Sequence, residues 1–296
     1  MSPSPPLTIG VINLWLAKIK GCKTIYNVQE IYPDILKRKE GVIIELLRKM
    51  ERYVYNSSTA VTTIDSVFYN TIAGRFKDVS KLHIIPNFVD TGLYNTREGN
   101  MKSLDSRLFP ATTSLKLLYA GNIGFAQDWE PLVCLAERTL GDPIEYFIIG
   151  EGVMKPFLEE KILKQRLTNI HVLPYQPREL MPSVLAYSNI QFIFMNPEME
   201  MQGFPSKVYT IMACGKPLLV CSGKDTPIVK FLQEHNCAKL ITEKDLEIKV
   251  GEMADWLDTV SKDELTSIGR NGVDVIDRLY AKNVVTGQYV DLAEVL

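Results

Sequence analysis

Three short stretches hold the residue types that could grip an anion. The first is GFPSKVYTIMACGKP, Gly203 to Pro217, in which Lys207 follows Ser206 at the expected start of a helix. Ser206, directly after Pro205, is placed to cap that helix. A cation in the first turn gains nothing from the helix dipole, which puts partial positive charge there. An anion bound at that end reverses the sign, because backbone N–H groups and the ammonium then converge on it. A solvent-exposed lysine is the competing reading. Ala213 and Cys214 are small enough to let the helix lie close to a sheet. Gly215 ends it, and Pro217 opens a strand where a missing N–H is tolerated.

The second stretch is YAGNIGFAQDWE, with Gly121, Asn122 and Gly124 just after an apolar run. Glycines there permit a tight turn and let backbone N–H groups approach a phosphate. The pattern is neither a GxGxxG fingerprint nor a Walker loop, and an ordinary strand-to-helix turn would look the same. The third is FIIGEGVMKPFLEE, in which Gly150 ends a strand and Gly152 begins a helix. Here the ordinary turn is the stronger reading, and Glu151 points either to a ligand or to solvent.

Such turns carry chemistry only if parallel strands bring them to one sheet edge. The chain has 296 residues, 46% of them hydrophobic, enough for two domains with cores of their own. From the start the pattern reads helix (Leu7 to Lys20), strand KTIYNV and loop QEIYPD. A helix from Gly41, strand TAVTTI, a helix from Asp65 to Phe76 and strand KLHIIPN follow. A polar, aperiodic stretch covers 95–114. Beyond it come strands at LKLLYAG, IEYFIIG, NIHVLP, IQFIFM, PLLVC and CAKLIT, nearly all apolar, as parallel strands covered on both faces are. The domains expected are 1–94, a connector at 95–114, a second domain at 115–280, and a last helix at 281–296 long enough to return to the first domain. No strand is expected before Leu7.

Composition excludes several classes. A net charge of -2 and a pI near 6.0 do not suit a nucleic-acid binder. Three histidines without ligand spacing argue against a protein-held metal, and five irregularly spaced cysteines read as buried free thiols in a reducing compartment. No apolar stretch is long enough to span a bilayer. Residues 18–52 carry nine Lys or Arg against five Asp or Glu. Lys18, Lys20, Lys23, Arg48, Lys49 and Arg52 could meet an anionic lipid surface, although the interspersed acids weaken the patch.

The set LLYAGNIG, IIGEG, NIHVLPYQPRELMP, GFPSKVYTIMACGKPLLV and IIPNFVDTGLY, in that order, resembles family 4 of the retaining glycosyltransferases. The likeness is to a bacterial surface-polysaccharide branch that includes fucosamine transferases of O-antigen synthesis. It implies an α/β fold of GT-B type: two Rossmann-like parallel-sheet domains, the first incomplete because the family's opening block has no counterpart here. It implies transfer, with retention, from a nucleotide-diphosphate sugar (a UDP-sugar) to a lipid-linked glycan. The setting would be cytoplasmic or peripheral at the inner face of the plasma membrane, with no metal or other cofactor and no nucleic acid. By the same resemblance, Gly121, Asn122 and Gly124 underlie the diphosphate, and Gly150 and Gly152 form part of the nucleotide wall. Tyr175 meets the base through its backbone, and Ser206 and Lys207 contact the diphosphate. Gln202 and Thr210 stand where many members have paired glutamates, Thr210 toward the ribose, and Phe125 stands where a basic residue is common. Gln29 and Glu30, with Asp34 nearby, occupy the place of a catalytic or orienting residue. The alternatives are a truncated nucleotide-sugar-binding or scaffold subunit needing another chain, and a GT-B sugar-nucleotide epimerase, whose acid and base residues are not found.

Overall fold

The computed structural model describes residues 1–34, 36, 41–96, 102–201 and 204–296. They divide into two units: Met1–Phe88 with Lys282–Leu296, and Val89–Ala281. The boundary thus falls after Phe88 rather than after 94. The stretch read as a connector belongs to the second unit. Leu104, Leu108 and Phe109 pack with Leu118, Phe147 and Val184, and the Lys102 amide donates to Ser183 Oγ at 2.7 Å. Burying such side chains is favourable by about 1.5–3 kcal/mol each, which holds a segment whose polar composition alone would leave it loose.

The first unit is a four-stranded parallel sheet in the order β1 (Ser2–Ser4), β2 (Ile25–Val28), β3 (Ala60–Thr63), β4 (Leu82–Ile84). A strand therefore does precede Leu7, contrary to expectation. Ser2 and Ser4 are buried and register with Tyr26 and Val28. Helices α1 (Leu7–Lys20), α2 (Val42–Ser57) and α3 (Ser66–Ile72) connect these strands. All three contribute to one core with Tyr26, Val28 and Val61, so they cover one face, as right-handed crossovers in a constant direction require. Asp65 caps α3, accepting the Phe68 amide at 2.7 Å, and a 3₁₀ turn at Ala73–Arg75 completes the run expected to be one helix. Helix α11 (Lys282–Val295) packs Val285 and Leu292 against Ala60 and Ile85, and Tyr289 Oη accepts from Asn27 Nδ2 at 2.8 Å.

The second unit holds a six-stranded parallel sheet, β10-β9-β8-β5-β6-β7. The strands are β5 (Leu115–Ala120), β6 (Ile144–Ile149), β7 (Ile170–Leu173), β8 (Ile190–Phe194), β9 (Leu218–Cys221) and β10 (Ala238–Ile241). Between them run α4 (Glu130–Arg138), α5 (Lys155–Gln165), α6 (Met181–Tyr187), α7 (Lys207–Ala213) and α8 (Pro227–His235). Helices α9 (Leu246–Thr259) and α10 (Lys262–Val275) follow β10. The chain reverses direction across the sheet between β5 and β8, so their carboxyl ends flank the crevice where ligands bind in such sheets. All five cysteines are free. Cys214, Cys221 and Cys237 are buried, but Cys22 is exposed.

Candidate functional site

The Gly121 and Gly150 turns interlock beyond the ends of β5 and β6. The ladder continues past the strands: Gly121 N–H donates to Ile149 O at 2.9 Å, and Ile123 N–H to Glu151 O at 2.8 Å. Gly150 N–H reaches Leu173 O at 3.0 Å, and Met154 N–H returns to Ile123 O at 2.9 Å. Backbones this close leave no room for side chains. A Cβ on Gly150 would stand 1.9 Å from Gly121 O, and one on Gly152 would stand 2.2 Å from Ile123 O. Both have positive φ, 151° and 158°. Glycine is a steric requirement at these two positions.

This lacing leaves donors over. Among the described residues, the amides of Asn122, Gly124 and Gly152 donate to no protein acceptor. Gly124 is buried, and a buried unpaired N–H costs free energy that an acceptor would recover. The Asn122 carbonyl is held by Tyr119 Oη at 2.7 Å, which fixes the loop from below.

Lys207 reaches into the same place from α7. Its Nζ donates to Ala120 O at 3.1 Å and sits 3.7 Å from the Tyr119 ring centroid, a cation–π contact. It lies 2.6 Å from the point a Cβ on Gly121 would occupy. Among the described residues no carboxylate is within ion-pair distance of it. Burial pushes its pKa down from 10.5 to about 7. The unfolded chain therefore binds the proton between those values, and stability gains as pH rises through that window. Lys216 makes the contrast. Also pushed down by burial, to about 8, it donates to the Ala186 and Ser188 carbonyls at 2.9 and 2.7 Å, at the end of α6. A cation is favoured at a helix carboxyl end, so Lys216 is met by two carbonyls and a helix end, whereas Lys207 has one carbonyl and a ring.

The remaining expected residues are placed as follows. Ser206 is exposed and stands at the N-cap position of α7, but its side chain caps nothing because its backbone is already helical. Helix α7 has only seven residues, so what positions Lys207 is Tyr119 and Ala120 rather than a long dipole. Thr210 Oγ1 donates to Lys207 O at 2.8 Å within the helix. Tyr175 is 55% exposed, with its hydroxyl 3.5 Å from Glu151 O and its ring against the Gly150 turn. Glu151 accepts from Lys155 Nζ at 2.7 Å, and Phe125 is exposed. Gln202 lies outside the described residues. In the first unit, Gln29 Nε2 donates to Asn27 Oδ1, the Glu30 carbonyl accepts from Ser4 Oγ at 3.2 Å, and Asp34 is paired with Arg75.

Two residues not singled out in the sequence matter here. Tyr119 reads as a core aromatic in an apolar strand, and nothing in the pattern distinguishes it. Glu200 ties the loop after β8 to the loop after β9: its Oε2 accepts from Gly223 N–H at 2.7 Å and from Ser222 Oγ at 3.0 Å. Among the described residues, no group of three or more His, Cys, Asp or Glu could hold a metal ion.

Two Rossmann-like parallel-sheet units, the second with interlocked glycine turns at its strand ends, match the GT-B fold. Residues 102–267 match the model of the family described as "Glycosyl transferases group 1", more than half of the chain, and the chain belongs to that family. It is 24% identical over 208 residues to the "Putative colanic acid biosynthesis glycosyl transferase WcaI" of Escherichia coli K12, covering 68% of this chain and 51% of that protein. It is 20% identical over 280 residues to the "Probable glycosyltransferase WbjE" of Pseudomonas aeruginosa, covering 89% and 66%. The chain thus spans half to two thirds of the length of these relatives. Among solved structures it is similar to Anabaena HepE in complex with UDP-glucose. That match has a TM-score of 0.76 at 14% identity over 99% of this chain and 78% of that one.

Proposed function

We propose that the chain is a glycosyltransferase, or the donor-binding part of one. It moves a sugar from a nucleotide diphosphate, UDP in the first instance, to a lipid-linked glycan of a bacterial surface polysaccharide, with retention. The observation that carries this reading is the convergence of Lys207 Nζ on the loop bearing the unpaired amides of Asn122 and Gly124, beside Gly152. The acceptor hydroxyl attacks the anomeric carbon as the bond to the diphosphate breaks, and its proton passes to the departing phosphate oxygen. The negative charge that grows on the diphosphate is met by fixed N–H groups and the ammonium, which need no reorganisation. Gln29 and Glu30 are assigned to orienting the acceptor side, Tyr175 to the base, and Thr210 to the ribose. A relative named as a putative colanic acid biosynthesis glycosyl transferase supports the setting, and a structural neighbour solved in complex with UDP-glucose supports the donor. The same reading places the protein in the cytoplasm, at the inner face of the plasma membrane. Among the described residues no helix is long and apolar enough to cross it.

The test is transfer from radiolabelled UDP-sugars to lipid-linked oligosaccharide extracted from a surface-polysaccharide mutant. Labelled product with one donor supports the reading. Donor binding without product leaves the chain as a nucleotide-sugar-binding subunit, and no binding to any UDP-sugar ends the proposal.

Protonation gives a second expected outcome. With its pKa near 7 in the empty site, Lys207 is mostly neutral at about pH 8. The diphosphate of UDP-glucose, which does not itself titrate near neutrality, restores the ammonium. Binding should therefore take up close to one proton at that pH, and affinity should rise as pH falls toward 7. Calorimetry in two buffers of different ionisation enthalpy measures this. Lys207→Met should abolish the uptake, and equal heats in both buffers for the wild type would contradict it.

A further inference from the structure

The first unit carries a buried polar network that ends on an acceptor-side residue. Asn27 and Thr62 stand opposite each other on β2 and β3 and are 3% and 0% exposed. Their side chains lie on the sheet face covered by α11, where the neighbours Ile25, Ala60, Ile85, Val285 and Leu292 are apolar. Tyr289 reaches in from α11, 262 positions away from Asn27 in the chain. Asn27 Nδ2 donates to Thr62 Oγ1 at 2.9 Å and to Tyr289 Oη at 2.8 Å, and the two hydroxyls stand 3.3 Å apart. Apolar side chains in these places would hold α11 as well, because a buried hydrogen bond mostly replaces one made to water. What the network adds is direction.

With both Nδ2 hydrogens taken, the Asn27 amide is held in one orientation, and its Oδ1 is left to accept. The donor it receives is Gln29 Nε2. Gln29 directly follows the last residue of β2 and, two positions on from Asn27, projects from the same face. The backbone beside it is held as well, because Ser4 Oγ in β1 donates to Glu30 O at 3.2 Å. Gln29 is only partly buried, and among the described residues its Oε1 accepts no hydrogen bond. A sugar arriving at the carboxyl end of this sheet therefore meets an amide oxygen, with the amide nitrogen turned back to Asn27.

We propose that Asn27 and Tyr289 are positioning residues for the transfer reaction. They fix the Gln29 amide so that its Oε1 accepts from a hydroxyl of the acceptor sugar next to the one that attacks. The attacking hydroxyl keeps its own proton for the departing phosphate oxygen. This role rests on the assignment of Gln29 to the acceptor side, whereas the relay from Tyr289 to Gln29 can be measured without any substrate. The first arm of the experiment is ¹⁵N NMR of the side-chain amides of the full chain. The Gln29 pair, identified by its disappearance in Gln29→Ala, should exchange slowly with water. Tyr289→Phe keeps the ring and its packing, and should speed that exchange several-fold although the lost oxygen lies two hydrogen bonds away. The second arm is steady-state transfer with the acceptor varied at saturating UDP-sugar. Tyr289→Phe should lower kcat/KM for the acceptor about two- to twelve-fold, the range for one neutral hydrogen bond, and leave the Kd for UDP unchanged. In a Gln29→Ala background the same substitution should have no further effect, because it acts through Gln29. Asn27→Asp, which still faces Gln29 with an oxygen, should keep more of the acceptor kcat/KM than Asn27→Leu. Gln29 exchange that Tyr289→Phe leaves unchanged overturns the relay. Losses that add in the Tyr289→Phe, Gln29→Ala double variant make Tyr289 a structural residue and overturn the positioning role. So does an Asn27→Asp variant no better than Asn27→Leu. A wild type with slowed Gln29 exchange and no transfer to any acceptor contradicts the proposed function and this role with it, while the relay stands on the first arm.

Discussion

Gly150→Ala should lower the melting temperature of the second unit by about 6–12 °C and abolish nucleotide binding. The added methyl would stand 1.9 Å from the Gly121 carbonyl oxygen, a backbone atom with nowhere to go, at φ 151°. Relieving the clash means pulling apart the Gly121 N–H···O Ile149 bond and opening the cradle. The cost is roughly 3 kcal/mol, and each kcal/mol moves the midpoint of a domain of this size by about 2–4 °C. Gly141→Ala is the control. Its φ is also positive, at 100°, but nothing lies within 4 Å of its Cβ, so only backbone strain of roughly 1 kcal/mol is expected. Thermal scans of the two variants separate close approach from conformational preference. Similar losses in both would mean that the two turns are not laced as described.

Lys207→Ala should weaken binding of a nucleoside diphosphate by about 1.5–3 kcal/mol, the range for a hydrogen bond to a charged group, or roughly ten- to 150-fold in Kd. Affinity for the bare nucleoside should hardly change, because it brings no phosphate to the ammonium. Stability should hold or rise slightly, most below about pH 7, where the wild-type protein keeps a desolvated charge with no carboxylate partner among the described residues. Titration of UDP and uridine into both proteins measures the difference. Equal losses for the two ligands, or a melting point several degrees lower in the variant, would make Lys207 a structural residue.

The strands of both sheets were legible because parallel strands covered on two faces become continuous apolar runs, as IEYFIIG and LKLLYAG show. Strand β1 was not, because Ser-Pro-Ser has neither the β-branched residues nor the alternation that marks a strand. Its place is set by register with Tyr26–Val28. The segment around Leu104, Leu108 and Phe109 reads as loose because one buried and two partly buried side chains are diluted among polar neighbours. In the site, the sequence drew attention to Gly121, Gly150, Gly152 and Lys207, but for Lys207 it offered the wrong physical reason. A seven-residue helix has little dipole to oppose, and the ammonium is held by a ring and a carbonyl from the neighbouring strand. Contacts of that kind, between residues 87 positions apart in the chain, leave no local pattern. The same is true of Glu200 and Gly223.

The most direct test of the central claim is an amide NMR titration of protein labelled with ¹⁵N-glycine and ¹⁵N-asparagine, against UDP and against uridine. The cradle predicts that UDP moves the Asn122, Gly124 and Gly152 resonances together, with saturation. Uridine at the same occupancy should leave those of Asn122 and Gly124 in place, and Gly141 and Gly287 should stay still with both. Shifts confined to glycines outside the two turns, or the same shifts with and without the diphosphate, would contradict the account.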